Sequence, residues 1–300
     1  MIFMEYQNLQ FLTDENNVVL QRDYDGGDSL GRTGNLYFHK GLTLKETKFI
    51  YAKLEYRKAL DSLKAINSDG DYVRYSKEPY NQYKDMSRDN KMQAILAMGA
   101  LKMKKEIAQA FWADVKRFFR TPNGDFIGPT EINMYIRAYH LAGENSMILY
   151  PIVCLFDLGQ LVNSALISFL KGKEPGPIRR WLADKGLYFM VQDYPKSVNP
   201  TAWQAWSIHG ENNVGDDILH NLNIILSRKS LPTPISYLSR IVYKRYRPVY
   251  DTKFEGEFSW VQKHDYKNPG QYAFDRYYNP ASNANPFNHL YRDLLEETFK

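Results

Sequence analysis

Apolar residues recur at helical spacing along most of this sequence, in runs that a polar or Pro/Gly-rich turn stops each time. The segment 43–66 carries Phe49, Ala52, Leu54, Tyr56, Leu60 and Leu63 in a roughly amphipathic pattern, and "NSDGD" ends it. Residues 87–119 predict one long helix or two joined near Lys104, with Ser87 placed to cap the start. Inside that run Ala94, Ala97, Gly99 and Ala100 leave room for a neighbouring helix. "RTPNGDFIGPT" (120–130) is a break, after which Thr130 is placed to cap the next helix. Asn199, Pro200 and Gly210 bound a short helix, and Ile218, Leu219, Leu222, Ile225 and Leu226 form the stripe of another. Strand signal is confined to the start, where two short apolar runs around a polar turn predict a hairpin within 1–20. Over 248–288 periodicity is lost and aromatic residues mix with Asn, Asp, Gly and Pro. That segment reads as an irregular loop wrapping the body, ahead of a last short helix.

So many helices with so little strand predict a mainly α chain, read as a single helical domain over 1–300. No heptad and no regular solenoid period is present. An α/α toroid, a closed array of helix pairs, fits the length and the buried-looking helices. An irregular α bundle is the alternative.

Composition narrows the function classes. Hydrophobic residues make up 44% and charged residues 24%, the balance of a globular protein. The 23 Tyr outnumber the 16 Phe, and tyrosine suits half-wet grooves as well as large aromatic cores. The formal net charge of +5 is spread out, and its densest runs (101–105, 227–230, 243–248) sit in or beside helices as solvated faces. A nucleic-acid partner is therefore not favoured. Cys154, the single cysteine, has no partner for a disulfide or a metal and reads as a buried inert thiol. No signal peptide is visible, which predicts cytoplasmic synthesis. Residues 147–170 are long and apolar, but Pro151, Asp157, Gln160 and Asn163 interrupt them. An aspartate at mid-bilayer is expensive, so a buried helix is expected there and no membrane partner.

Three polar clusters are candidates for chemistry. In "QRDYDGGDSLGRTG" (21–34), a helix opening near Asp25 would set Asp25, Asp28 and Arg32 on one face. A capping cluster accounts for the acids and for an Asp28–Arg32 pair. It leaves Gly26, Gly27 and Gly31 unexplained, since glycine weakens a helix by roughly 0.8–1 kcal/mol. Glycines beside carboxylates suit the close approach of a ligand or another backbone. The second cluster, "DMSRDN" (85–90), brings Arg88 and Asp89 to another helix start. The third, "SIHGENNVGDDILHN" (207–221), holds His209, Glu211, Asp216, Asp217 and His220 without a recognisable metal-ligand spacing. No phosphate-binding loop, dinucleotide fingerprint or nucleophile elbow occurs, so neither a cofactor nor a metal is expected.

"RDYDGGDSLGRTG" followed by "YKDMSRDNKMQAILAMGA" resembles a group of uncharacterised bacteriophage-encoded proteins with a DGGD-x-x-x-R-x-G segment and a later SRDQ segment. Asn90 stands here in place of the glutamine, and the likeness covers roughly the first third of the chain. It implies a phage-type protein, with association with the virion as the localisation to expect. "DGGD" is also similar to the DAGD segment of inverting endoglucanases built on an α/α toroid. That resemblance implies that Asp25 and Asp28 hold the hydrolytic water, with Gly27 at the family glycine and Gly26 in place of its alanine. The family's late histidine and acid segments have no counterpart here.

An inverting glycosidase needs a base that holds water and a second carboxylic acid roughly 6.5–9.5 Å away. Asp25 and Asp28 are the expected base, and Asp89, Glu211 and Asp216 are the candidate acids. Arg32, Arg88 and His209 are expected to contact substrate, with Trp203 and Trp260 as stacking platforms. The expected function is thus binding, and in its enzymatic form hydrolysis, of a polysaccharide. The alternative is a non-catalytic virion or assembly protein whose partners are other phage virion proteins.

Overall fold

The computed structural model describes residues 2–7, 9–20, 29–65, 70–82, 86, 88–124, 126–155, 158, 222, 225–234, 290–291, 293–294 and 297–298. These residues are mostly helical, with one two-stranded antiparallel sheet. The chain divides into two compact units, Met1–Leu149 with Asn279–Asp293, and Tyr150–Tyr278 with Leu294–Lys300.

The first unit opens with a hairpin of β1 (Ile2–Tyr6) and β2 (Leu9–Thr13), in which Met4 lies opposite Phe11. Gln7 takes a left-handed φ of 51°, as a two-residue hairpin turn requires. The Asp14 carboxylate then accepts the N–H groups of Asn16 (2.8 Å) and Val18 (2.9 Å), which shapes the next turn. Val18, Val19 and Leu20 follow it into the core. Val19 N–H donates to the Thr33 hydroxyl at 2.8 Å and so fastens the hairpin to the first helix.

Five helices follow: α1 (Ser29–Thr43), α2 (Glu46–Leu63), α3 (Arg88–Ala100), α4 (Lys104–Lys116) and α5 (Pro129–Leu141). The run 87–119 is therefore two helices, parted at Leu101–Met103. Lys102 takes the left-handed position there (φ 57°). Met103 N–H reaches the Met98 carbonyl at 2.8 Å and Lys102 N–H the Gly99 carbonyl at 3.0 Å, the double bond that ends a helix abruptly. α5 is capped by Gly128 rather than Thr130. Pro129 fits the first turn, where no N–H is needed, and the Glu131 carboxylate reaches back to the Gly128 N–H at 2.8 Å.

Burial sorts the helices into two kinds. α1 is buried without interruption from Ser29 to Lys40, and α3 from Asn90 to Ala100. Helices covered on all sides are central ones. α2 buries only Ala52, Tyr56, Ala59, Leu60 and Leu63, and α4 only Ile107, Ala110, Ala113 and Asp114. Each is a one-faced outer helix. Leu54, expected on the inward pattern, is instead 53% exposed.

Glycine contacts give the central helices their direction. A Cβ on Gly31 would meet Asn90, one on Gly34 would meet Gln93 and Ala94, and one on Gly41 would meet Ala100. The indices rise together, so α1 and α3 run parallel in close contact. Arg88 pairs with Glu131 while Gly99 meets Ala138, so α5 runs parallel to α3 as well. α2 and α4 return in the opposite sense. Lys91 near the start of α3 meets Asp114 near the end of α4, and Lys104 at the start of α4 meets Glu144 just past α5.

In the second unit Tyr150–Leu155 is helical, as are residues 225–229. Leu222, Ile225 and Leu226 are fully buried members of the expected stripe; Ile218 and Leu219 lie outside the described residues. Lys229 pairs with Glu297 at 2.9 Å.

Candidate functional site

Because α1, α3 and α5 are parallel, their N-termini share one end of the first unit. Side chains tie those ends together. Gly31 N–H donates to Asn90 Oδ1 at 2.9 Å, which joins the "DSLGR" and "SRDN" segments directly. One turn further in, Asn35 Nδ2 donates to Gln93 Oε1 at 2.7 Å, and the Tyr291 hydroxyl donates to the Asn35 carbonyl at 2.9 Å. Leu30 N–H is satisfied by the Arg74 carbonyl at 3.0 Å.

Arg32 lies on α1 and is 7% exposed. Arg88, at the first position of α3, pairs through Nε with Glu131 Oε1 at 3.3 Å. Both candidate arginines therefore sit near helix starts at this shared end. Asp89 is the second residue of α3. Asp28 immediately precedes Ser29, the first residue of α1. Aligned helix starts and guanidinium groups both favour negative charge, so this end can hold carboxylates ionised or receive an anionic group. The Ser29 hydroxyl is fully buried and has no hydrogen-bond partner among the described residues. An unmet polar atom of this kind suits a bound water or a ligand hydroxyl. Asp25, Asp28, His209, Glu211, Asp216, Trp203 and Trp260 lie outside the described residues.

A second constellation was not foreseen from sequence. Lys91, fully buried on α3, reaches Asp71 at 3.3 Å and makes a short contact with Asp114 of α4. Arg117 closes the group, donating from Nη2 to Asp71 Oδ1 (2.7 Å) and Asp114 Oδ1 (2.9 Å), while its Nη1 meets Asp71 Oδ2. The Tyr135 hydroxyl of α5 donates to Asp114 Oδ2 at 2.6 Å. Burial, reinforced by the adjacent Asp114 carboxylate, raises the Tyr135 phenol well above its ordinary range and keeps it a donor. Two cations and two carboxylates are thus matched inside the protein. The signal in the sequence was Asp114 itself, which falls on the Ile107–Ala110 stripe where an apolar residue belongs.

A third polar group lies at the other end of α1. His39 Nδ1 meets the Tyr6 hydroxyl at 3.2 Å, and the ring also bonds the Leu290 backbone. Burial pushes its pKa down to about 4, with the Leu290 bond acting in the opposite direction. Beside it Lys40 pairs with Glu55 at 3.0 Å and lies over the Tyr37 ring at 4.6 Å. Among the described residues no three His, Cys, Asp or Glu side chains gather to hold a metal ion.

No family model, curated protein or solved structure matches the chain.

Proposed function

We propose that this chain is a phage-type carbohydrate-active protein on an α/α toroid, which binds a polysaccharide at the shared N-terminal end of α1, α3 and α5 and hydrolyses it with inversion. The observation that carries this reading is the alternation of direction: α1, α3 and α5 run one way, and the outer helices α2 and α4 return. Such an alternation is what helix pairs need in order to close into a toroid. It also gathers at one mouth the residues that flank the starts of the central helices. Asp25 and Asp28 then hold the water, and Asp89 is this end's candidate for the acid that protonates the leaving oxygen. Arg32 and Arg88 offset the mutual repulsion of the carboxylates.

The test is glycan-array binding and reducing-sugar release, with wild type and Asp28→Asn compared at matched folding. Wild type is expected to bind and cut. The variant is expected to melt like wild type and to lose at least ~10²-fold in rate, as removal of a general base does. Absence of any polysaccharide bound or cut by the wild type overturns the reading.

A second reading has its own observation. The resolved acid–cation contacts, Arg88–Glu131 and the Lys91 group, each join one element to another. Such joints suit a non-catalytic virion or assembly protein. Mass spectrometry of purified particles that finds the chain, together with an Asp28→Asn variant that fails to fold, is the result expected from this alternative.

A further inference from the structure

The outer helix α2 is apolar on two opposite faces. Ala52, Tyr56, Ala59, Leu60 and Leu63 point into the core. On the solvent side Ile50 is 57% exposed, Tyr51 62% and Leu54 53%; Ile50 and Leu54, four positions apart, lie at the middle of that face, and Tyr51, three before Leu54, lies toward its edge. Lone exposed apolar residues are ordinary, but three on one helix face form a patch that invites a partner. The neighbouring outer helix repeats the feature, with Trp112 58% exposed on α4. The two helices are bridged by Arg57–Glu106 at 3.0 Å and by Lys53 Nζ on the Lys102 carbonyl at 3.0 Å, so they form one wall.

That wall carries more exposed cations than carboxylates. Lys48, Lys102 and Lys105 are exposed on it and make no ion pair with a carboxylate among the described residues, Lys58 is exposed with its Nζ on the Glu15 carbonyl at 2.7 Å, and Glu46 and Asp61 are the exposed acids of α2. Aliphatic and aromatic side chains in the middle of a helix face, flanked by lysines, are the composition of a surface that lies on an anionic bilayer. The apolar residues enter the headgroup boundary and the ammonium groups meet the lipid phosphates. A second copy of the chain would set the same cations against themselves. Nucleic acid supplies phosphate for the lysines but nothing that buries Ile50 and Leu54.

We propose that the wall formed by α2 and α4 docks on an anionic lipid surface. The expectation of no membrane partner addressed spanning, and no described helix is long and apolar enough to span; docking needs only the exposed face. Ile50, Tyr51 and Leu54 lie on the half of α2 remote from the shared N-terminal end, because α2 runs antiparallel to α1. Docking there leaves that end open, and the inference stands whether or not that end binds sugar.

The experiment is flotation of the full chain with vesicles of equal parts phosphatidylglycerol and phosphatidylcholine, against vesicles of phosphatidylcholine alone. Wild type is expected to float with the anionic vesicles only, and less as salt is raised. The exposed double variant Ile50→Ser with Leu54→Ser should bind roughly tenfold more weakly or less. Lys48→Glu with Lys105→Glu should remove binding while the circular-dichroism melt stays that of wild type. Wild type that stays with the unbound fraction overturns the proposal, as does flotation indifferent to both variants. Self-association in sedimentation that Leu54→Ser abolishes, with no flotation, would assign the face to a second copy instead.

Discussion

α3 is held on its two sides by opposite means. Toward α1 it offers Asn90, Gln93, Ala94 and Ala100 to Gly31, Gly34 and Gly41, so the helices meet backbone to backbone with a few amide hydrogen bonds. Toward α4 and the 70–73 segment it sends one buried lysine into a matched set of two aspartates, an arginine and a tyrosine. The seam depends on shape and on neutral hydrogen bonds, each contributing about 1 kcal/mol. The junction depends on charge neutrality in a place water does not reach. Shape tolerates a small loss with a small cost, whereas a buried charge set fails once it is unbalanced.

The junction should therefore show the largest response. Lys91→Met leaves two fully buried carboxylates with one fewer cation, matched among these contacts by Arg117 and by the neutral Tyr135 hydroxyl. Breaking a buried pair by removing one partner costs about 3–5 kcal/mol. Denaturant unfolding of the first-unit signal should lose that amount. In the seam, Asn35→Ala removes the amide hydrogen bond to Gln93 and the Oδ1 contact with the Tyr291 hydroxyl, which keeps the Asn35 carbonyl as its acceptor, and should cost about 1–2 kcal/mol. Equal costs for the two variants would erase the distinction.

A pH series separates charge from shape in a second way, through α1's own buried titratable group. His39 has a folded pKa of about 4, below its ordinary 6.5. In that interval the unfolded chain binds a proton that the folded chain refuses, so stability is full above about pH 6.5 and falls as pH drops toward 4. The whole interval corresponds to about 3 kcal/mol. Among the described residues the groups that face the ring are the Tyr6 and Thr43 hydroxyls, the Leu290 backbone and the Tyr291 ring, none of them a carboxylate to hold the cation. His39→Gln should flatten the fall between pH 6.5 and 4 in denaturant titrations. A slope unchanged by that variant would assign the acid sensitivity elsewhere.

How much of this was legible follows from distance along the chain. Helix class, the amphipathic α2 and the small-residue face of α3 are written within a few residues of one another, and periodicity exposes them. Within α1, by contrast, Gly31, Gly34 and Gly41 each argue against a helix by propensity, and only the approach of α3 explains them. Gly31, read beside the acids as a sign of a nearby ligand or backbone, makes room for the Asn90 and Gln93 side chains of α3. The partners of Lys91 lie 20 and 23 positions away, and charge pairing at that range leaves no local pattern. The placement of Arg32 and Arg88 near helix starts was readable from their immediate neighbours. Glu131, which both caps α5 and meets Arg88, was not, since its second role exists only once α3 and α5 are parallel.

The smallest effect concerns the seam itself, and two glycines one turn apart give it an internal control. A Cβ at Gly34 would lie 2.7 Å from the Gln93 carbonyl carbon and 2.8 Å from the Ala94 nitrogen, both backbone atoms that move only if α3 moves. A Cβ at Gly31 would lie 2.6 Å from Asn90 Oδ1 and from Gln93 Oε1, the ends of side chains that can turn aside. Either alanine gains roughly 0.8–1 kcal/mol of helix propensity. Against that gain, overpacking at Gly34 costs about 1–3 kcal/mol because the helices must part. At Gly31 the two side-chain ends carry the hydrogen bonds to the Gly31 N–H and to Asn35, which lengthen as those ends give way, at a cost of about 1 kcal/mol in all. Gly34→Ala should thus destabilise by about 1 kcal/mol and Gly31→Ala should be close to neutral in the same denaturant assay. A stabilised Gly34→Ala would mean that α1 and α3 slide apart freely, and that shape does not hold this side of α3.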